Sequence, residues 1–312
     1  MKVSVCVAAT RPDTVGQTVR SIVGQTYRNW QLIVIAQGPG AEGVAGAVER
    51  ELGDGHDAMV MAQSGRGLSR ARNAAVKAAA GDVVAMIDDD CEADPAWIEV
   101  IVDRLLAEPA AGLVGGAVVA PPRERRGPGN CPCCAPGEVL YEPARGADRP
   151  PPGFRWIGAN FAFRRSTAER VGAFDEMLGA GARFPVAEEI DFMRRAEALG
   201  IAMLTTPKAV VYHTYGWRHG IGPVMRLQRN YARGNGAYAA KLTLLGDPRG
   251  RRDLDEMRRL TVCDWWQRRA PVALPAGIRR YAHFAAGYRE CLRECRVDES
   301  GLLQPKASGV PR

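Results

Sequence analysis

Three aspartates in a row, Asp88, Asp89 and Asp90, close the apolar run of "VAMIDDDCEADPAWIE" at residues 84–99. Adjacent carboxylates repel by about 1 kcal/mol per pair in water, and by about 4 kcal/mol at an effective dielectric near 20. A cation relieves that repulsion, and hard carboxylate oxygens suit Mg2+ or Mn2+. Mg2+ usually takes one or two protein carboxylates and fills its other positions with water and phosphate oxygens. In an extended segment alternate side chains share a face, so Asp88 and Asp90 point one way and Asp89 the other. Arg66, Arg70 and Arg72 lie just upstream, and the guanidinium fork fits phosphate. Thr10, Arg11, Pro12 and Asp13 form a second polar cluster after an earlier apolar run. The chemistry implied is metal-assisted handling of a phosphate-bearing ligand. The competing reading is an acidic turn whose aspartates cap a helix, as Asp94 is expected to do before Pro95.

The hydrophobic pattern predicts the scaffold. Residues 2–9, 31–37, 58–62, 82–87 and 112–120 read as strands, rich in β-branched or apolar residues. Between them the spacing predicts helices: one after Pro12-Asp13 with Thr14 and Gln17 as a capping box, one over 41–52, one over 68–81 ended by Gly81, and one starting at Asp94-Pro95. Alternating strands and helices predict an α/β fold with a mostly parallel sheet covered on both faces. In such sheets ligands bind beyond the carboxyl ends of the strands, where Asp88–Asp90 fall. Residues 121–153 break the pattern: 14 of the 33 are Pro or Gly, which predicts a loop or insertion. A strand over 154–165, a helix over 188–200 and strands near 201–205 and 208–213 follow. From about 220 the pattern is helical and basic, broken at Pro271 and Pro275. The expected division is a first domain over 1–215 and a helical basic region over 216–312.

Composition sets the class. The chain has 312 residues, 46% hydrophobic and 25% charged, which is ordinary for a globular protein with a sizeable core. No apolar run is long enough to span a bilayer, and "MKVSVCVAAT" lacks the apolar stretch of a signal peptide. A cytoplasmic protein is expected. The net charge of +7 is uneven: residues 213–312 hold 19 of the 42 Lys+Arg and 9 of the 35 Asp+Glu. That segment carries +10 and the rest −3. It could face a membrane surface, nucleic acid or an anionic substrate, or be a solvated helical face; no nucleic-acid motif accompanies it, so no nucleic-acid partner is expected. Of eight cysteines, Cys6, Cys91, Cys263, Cys291 and Cys295 are scattered and read as thiols. Cys131, Cys133 and Cys134 crowd into "NCPCC", a spacing that does not match paired zinc ligands. Loop thiols or a local disulfide are expected there in preference to a metal.

Four blocks in order carry a resemblance over roughly residues 2–215: "VSVCVAATRPDTVGQTVRSIVGQTYRNWQLIVI", "GLSRARNAAVKAAAGDVVAMIDDDCEADPAWIE", "WIGANFAFRRSTAERVGAFDE" and "EEIDFMRRAEALG". With them the chain resembles family 2 glycosyltransferases of the GT-A fold. The resemblance implies a nucleotide-sugar donor, UDP- or dTDP-linked by preference, and an inverting transfer to an acceptor hydroxyl. It implies donor contacts at Thr10, Arg11, Asp13, Gln37, Arg66, Arg70, Asn73, Asp88 and Asp89, with Gln37 standing where relatives usually have Asp. An amide both donates and accepts, so Gln37 can still pair with a base edge. Asp90 and Asp88 match the family's Asp-X-Asp metal motif for Mn2+ or Mg2+, Asp90 being the expected direct ligand. His213 falls where some relatives have a third ligand. Gly158, Ala159 and Asn160 match an acceptor-site block. Glu188-Glu189 match the catalytic-base motif, usually Glu-Asp. Glu189 is the expected base, which takes the acceptor proton, and Asp191 is the second choice. A glycan, a lipid-linked molecule or a small molecule is the expected acceptor, with peripheral membrane contact through the basic region.

Two other readings compete. A sugar-phosphate nucleotidyltransferase should carry a glycine-rich, Lys-containing loop after the first strand, and "AATRPDTVG" has none. A non-catalytic nucleotide-sugar-binding protein that keeps the fold would accommodate Gln37 and Glu189. Intact Asp88, Asp90 and Arg70 weigh against it.

Overall fold

A computed structural model describes residues 1–53, 55–122, 126–146, 150–268 and 273–306. The chain divides into two compact units, residues 1–173 with 192–220, and residues 174–191 with 221 onward.

The first unit is built from β1 (Val3–Ala9), α1 (Pro12–Val23), β2 (Trp30–Gln37), α2 (Ala41–Leu52), β3 (Ala58–Gln63), α3 (Leu68–Ala78), β4 (Val83–Asp88), β5 (Glu92–Ala93), α4 (Trp97–Ala107), β6 (Ala111–Val119), β7 (Gly129–Asn130), β8 (Val139–Tyr141), β9 (Asn160–Arg164) and α5 (Arg165–Val171). After α6 (Glu188–Ala198) come β10 (Ala202–Tyr212) and β11 (Arg218–His219). The main sheet runs β3-β2-β1-β4-β9-β6-β10-β5, with β8 also on β10. β3, β2, β1 and β4 are mutually parallel, as are β6 and β10; β9 lies antiparallel between β4 and β6. Val3, Val5 and Val7 of β1 and Leu32, Ile33 and Val34 of β2 are fully buried. Strands covered on both faces tolerate only such continuous apolar runs. Val15, Val19 and Ile22 of α1 supply part of the covering layer, at the spacing of one helical face.

Several boundaries differ from the sequence expectation. α1 begins at Pro12 with Arg11 as N-cap and no side-chain cap. The proline's fixed φ suits the first helical turn, so the expected Thr14–Gln17 capping box is not formed, and the buried Thr14 hydroxyl has no hydrogen-bond partner among the described residues. Asp94 organises a turn instead of capping a helix: its carboxylate accepts from the Ala96 N–H at 3.1 Å, and α4 starts at Trp97. α3 ends at Ala78. Gly81 serves close approach to β1, since a Cβ there would lie 2.7 Å from the Ser4 nitrogen. Only 160–164 of the expected 154–165 strand is extended. The two strands expected over 201–213 are one, with a register shift between Thr205 and Val210, where Pro207 cannot donate to the ladder. Two short pieces of the expected loop over 121–153 join sheets, β7 pairing with β11 and β8 with β10.

The second unit is helical: α7 (Ile221–Leu244), α8 (Arg249–Arg268) and α9 (Ala273–Glu294), then an antiparallel hairpin of β12 (Cys295–Val297) and β13 (Leu303–Pro305). Pro275 sits in the first turn of α9; Pro271 lies outside the described residues. Leu178, Phe184, Ala237, Tyr238, Phe284 and Cys291 belong to its core. α7 and α9 meet backbone to backbone. A Cβ on Gly236 would lie 2.0 Å from the Phe284 carbonyl oxygen, and one on Gly287 equally close to that of Arg233. Among the described residues no helix is long and apolar enough to cross a membrane.

Candidate functional site

β1 and β4 are parallel neighbours with Ala8 opposite Asp88, so their carboxyl ends bring Thr10 and Arg11 beside the three aspartates. Asp89 is the knot of this edge. One of its oxygens accepts from the backbone N–H groups of Thr10 (2.7 Å) and Arg11 (3.1 Å), and the other from the Arg11 guanidinium. Its buried carboxylate is therefore committed to the end of β1, which departs from the donor contact expected of it. Asp90 is also buried. Its carboxylate lies 2.7 Å from Arg11 Nη1, 3.4 Å from His213 Nε2 and 3.7 Å from Arg218 Nη2. Burial alone would raise the Asp90 carboxyl, but the His213 hydrogen bond and the Arg11 charge outweigh it and hold it well below the usual carboxylate range. Burial opposes protonation of His213, and Asp90 reverses this, so the imidazole is raised above its ordinary value.

His213 follows β10, which runs beside β6 and pairs with β5, just after the aspartates. Its Nδ1 is 2.8 Å from the Pro132 carbonyl oxygen. That partner fixes which nitrogen faces Asp90. Asp90, Cys91 and His213 form a cluster whose ligand atoms all lie within 4.8 Å of one another. A carboxylate, an imidazole and phosphate oxygens from a ligand fit a divalent first-row cation such as Mn2+. The Cys91 thiol is buried and, by desolvation, held far above the ordinary thiol range, which leaves it a poor ligand beside the other two.

Asp88 is one-third exposed, with Arg72 Nη2 at 3.6 Å. Desolvation pushes its carboxyl up to about 6, opposed by Arg72 and reinforced by Asp90. Arg72 itself is buried, donates to the Gly158 carbonyl at 2.7 Å and stacks over Phe161 at 5.3 Å. It joins the acidic edge to the segment expected to shape the acceptor site. Arg66 and Arg70 are exposed; Arg70 donates to the Ser64 carbonyl at 2.6 Å. Asn73 is half-buried on α3, and Asp13 is exposed in the first turn of α1. Gln37 is buried and accepts from the Gly67 N–H at 2.8 Å, holding the start of α3. Asn160 departs from expectation. Its amide accepts from Trp97 Nε1 and donates to the Ala117 and Ala209 carbonyls at 2.7–2.9 Å, so it joins strands inside the core. Ala159 is buried beside it and Gly158 is half-buried. Cys131, Cys133 and Cys134 are free thiols, with no disulfide between them.

The second set of carboxylates belongs to the helical unit. Glu188, Glu189 and Asp191 occupy the first turn of α6, where acidic residues meet the positive end of the helix dipole. Ala187, just before them, has φ +79°, a left-handed conformation that costs a non-glycine residue about 1–2 kcal/mol. Glu188 and Asp191 are buried, while Glu189 is half-exposed. Asp191 lies 2.5 Å from Lys241 Nζ, which is also 2.7 Å from Asp175. Asp175 in turn accepts from the Met177 and Leu303 N–H groups. Lys241 and Asp175 were not among the expected site residues, and Arg72, noted with Arg66 and Arg70 as a phosphate partner, was not expected beside Asp88. A signal for two of them exists: Arg72 sits on the helical stripe of Leu68, Ala71 and Ala75, and Lys241 interrupts the small apolar run "GAYAAKL".

A strand-end acid cluster on a mixed sheet of this order defines a GT-A type nucleotide-sugar-binding fold. Residues 4–172 match the model of glycosyl transferase family 2, and the chain belongs to that family. It is 34% identical over 191 residues to the glucosyl-dolichyl phosphate glucuronosyltransferase of Haloferax volcanii. That match covers 57% of this chain and 58% of the relative, so the chain spans under two thirds of the relative's length. The fold is also that of the mannosyltransferase PcManGT from Pyrobaculum calidifontis, solved with GDP-Man and Mn2+ (TM-score 0.59, 18% identity, 93% of this chain and 87% of that one). S. aureus TarS 1-349 with UDP-GlcNAc is similar as well (TM-score 0.52, 13% identity, 100% and 98%).

Proposed function

We propose that this protein is a metal-dependent, inverting glycosyltransferase that moves a sugar from a nucleotide-sugar donor to an acceptor hydroxyl. The observation that carries the reading is the buried Asp90–His213 pair at the carboxyl edge of the sheet, backed by Asp88 and flanked by Arg11 and Arg72. Asp90 and His213 would hold a divalent cation, Mn2+ or Mg2+, which when bound supplies neutralisation of the donor diphosphate. Asp88 sits beside it for the donor. Arg72 keeps Asp88 and the Gly158 segment together, and Arg11 offsets the remaining negative charge. Exposed Arg66, and Arg70 on giving up its bond to the Ser64 carbonyl, can turn toward a donor phosphate, where a guanidinium stabilises the developing charge.

Glu189 takes the proton of the acceptor hydroxyl as its oxygen attacks the anomeric carbon, and the nucleoside diphosphate leaves from the opposite side. Asp191 is unsuited to that task, because its side chain is buried against the Lys241 ammonium, away from an acceptor. Glu189 is the accessible member of the group. UDP- and dTDP-sugars are the preferred donors, and a glycan, a lipid-linked molecule or a small molecule the acceptor. The test is release of nucleoside diphosphate from UDP-, dTDP- and GDP-sugars, with Mn2+, with Mg2+ and with EDTA. Metal-dependent turnover with one nucleotide class is expected, lost in Asp90→Ala and reduced about 100-fold or more in Glu189→Gln. Turnover untouched by EDTA, or full activity in Glu189→Gln, would refute the respective assignment.

A further inference from the structure

Cys131, Cys133 and Cys134 take no part in the transfer chemistry above, yet their segment is built against His213. The last two residues of β6 hold both. Val118 exchanges backbone hydrogen bonds with Cys134 at 2.8 and 2.9 Å, and the Val119 carbonyl accepts from the His213 N–H at 2.9 Å. Close to these anchors the Pro132 carbonyl oxygen lies 2.8 Å from His213 Nδ1. A carbonyl only accepts, so Nδ1 carries the hydrogen and Nε2 faces Asp90. The Cys131 thiol shares the same oxygen at 3.9 Å. Its sulfur and the imidazole also converge on Gly216, where a Cβ would lie 2.6 Å from the sulfur and 2.5 Å from the ring carbon Cγ. The orientation of His213 therefore hangs on one backbone group with a cysteine on either side of it in the chain.

The three sulfurs do not gather as a metal cage would. Among the described residues the one group of three ligand atoms within 4.8 Å is Asp90, Cys91 and His213. Thiol oxidation fits the arrangement better. Cys133 is exposed while Cys131 and Cys134 are half-buried, so it meets an oxidant first. Chain geometry selects its partner. A disulfide needs Cα atoms about 4.4–6.8 Å apart. Adjacent residues stand about 3.8 Å apart across a trans peptide, too close to join Cys133 to Cys134. Cys134 is also tied on both sides to Val118. Residues separated by one other span at most about 7 Å, so Cys131 and Cys133 come into range when the backbone between them contracts. The residue between them is Pro132.

We propose that Cys131 and Cys133 form a reversible modification site, oxidised by a low-molecular-weight disulfide to an internal disulfide that draws the Pro132 carbonyl away from His213. The Cys133 thiolate attacks one sulfur of the small disulfide and expels its first thiolate. Cys131 then attacks the Cys133 sulfur of the mixed disulfide and expels the second. The two protein thiols lose two electrons and two protons, and the small disulfide leaves as two thiols. A ring enclosing one residue is tight, so excess thiol reverses it readily. His213 loses the partner that fixes its tautomer and ring orientation, a loss that lowers the affinity of a metal site about 10–100-fold. This last effect rests on the metal-dependent reading above; the disulfide and the release of the imidazole do not.

The test compares the full chain reduced and after oxidation with glutathione disulfide. Differential alkylation with peptide mass spectrometry reads the bond, imidazole 15N–1H NMR reads His213 (assigned with His213→Gln), and Mn2+ titration followed by electron paramagnetic resonance reads the metal site. The expected result is a bond confined to Cys131 and Cys133 with Cys134 still alkylated, a displaced His213 Nδ1–H signal, and Mn2+ affinity lowered about tenfold or more. Dithiothreitol should restore all three. Cys133→Ser, at an exposed position, should abolish the response, and Cys134→Ser should keep it. A bond to Cys134, or glutathione retained on Cys133 with no internal bond, would overturn the pairing. A disulfide that leaves the His213 signal in place would overturn the coupling, and equal Mn2+ affinity in the two forms would overturn its effect on the metal site. A displaced signal in a protein that binds no Mn2+ in either form would support the modification site and count against the metal reading instead.

Discussion

Replacing Lys241 by Met is the sharpest probe of the helical unit. Lys241 is fully buried, and its ammonium lies 2.7 Å from Asp175 and 2.5 Å from Asp191, both at most 3% exposed. Methionine fills similar volume, so packing is largely kept while the charge goes. Two carboxylates then remain in the core, Asp175 with only the Met177 and Leu303 N–H groups against it among the hydrogen bonds described above. Breaking a buried ion pair from one side costs about 3–5 kcal/mol, because the orphaned charge keeps its desolvation penalty. Total stability of a domain is about 5–15 kcal/mol, and each kcal/mol moves the midpoint of a 150–250-residue protein by roughly 2–4 °C. A loss of roughly 6–20 °C is therefore expected, read by calorimetry with urea unfolding followed by near-UV circular dichroism. The triple variant Lys241→Met/Asp175→Asn/Asp191→Asn should recover much of it, since the amides carry no charge. Arg20→Ala, at the exposed pair with Glu51, should hardly move the midpoint. A Lys241→Met loss under about 1 kcal/mol, the ordinary range for a substitution outside such networks, would refute the reasoning. So would a triple variant no more stable than the single one.

Three further outcomes are expected. Asn160→Ala should cost about 3 kcal/mol in urea unfolding, because Trp97 Nε1 and the Ala117 and Ala209 carbonyls lose their partner inside the sheet. Gly236→Ala should lower the melting temperature despite its better helix propensity, since its Cβ would meet the Phe284 carbonyl at 2.0 Å; an unchanged or higher midpoint would contradict the close α7–α9 contact. With iodoacetamide on the native protein, exposed Cys133 should label first and buried Cys6 and Cys91 should resist. Because only the thiolate attacks, and burial pushes the Cys131 thiol up to about 11, labelling of Cys131 should climb about tenfold per pH unit up to that point. Mass spectrometry of the modified peptides reads the order.

The sheet edge was legible because a strand buried on both faces has to be apolar, so the change from Ile87 to Asp88 marks the point where the chain reaches the ligand side. What each aspartate touches was not legible. Alternation placed Asp89 on the other side from its neighbours, but its partners are backbone groups 78 and 79 residues away. Arg66, Arg70 and Arg72 drew attention together as phosphate partners, and only the place of Arg72 on an apolar helical stripe sets it apart as the buried one. Local capping signals misled at Thr14 and Asp94, because proline geometry and tight turns set those helix starts. The Lys241 triad has only a faint local signature, the break in "GAYAAKL": Asp175 is 66 residues distant, and a lysine in a helix ordinarily reads as a solvated one.

The helical unit takes residues 174–191 from the middle of the chain and joins them to the segment that begins at 221. This makes it a poor module for exchange. A gene fusion that cut after Gly220 would keep every residue of the family match yet leave Asp175 and Asp191 without their ammonium partner. Grafting a foreign tail at that point would have to supply a cation to the same buried position. Diversification of the C-terminal helices in this lineage is therefore expected to proceed by substitution on their outer faces, and to leave Lys241, Asp175 and Asp191 changing together or not at all.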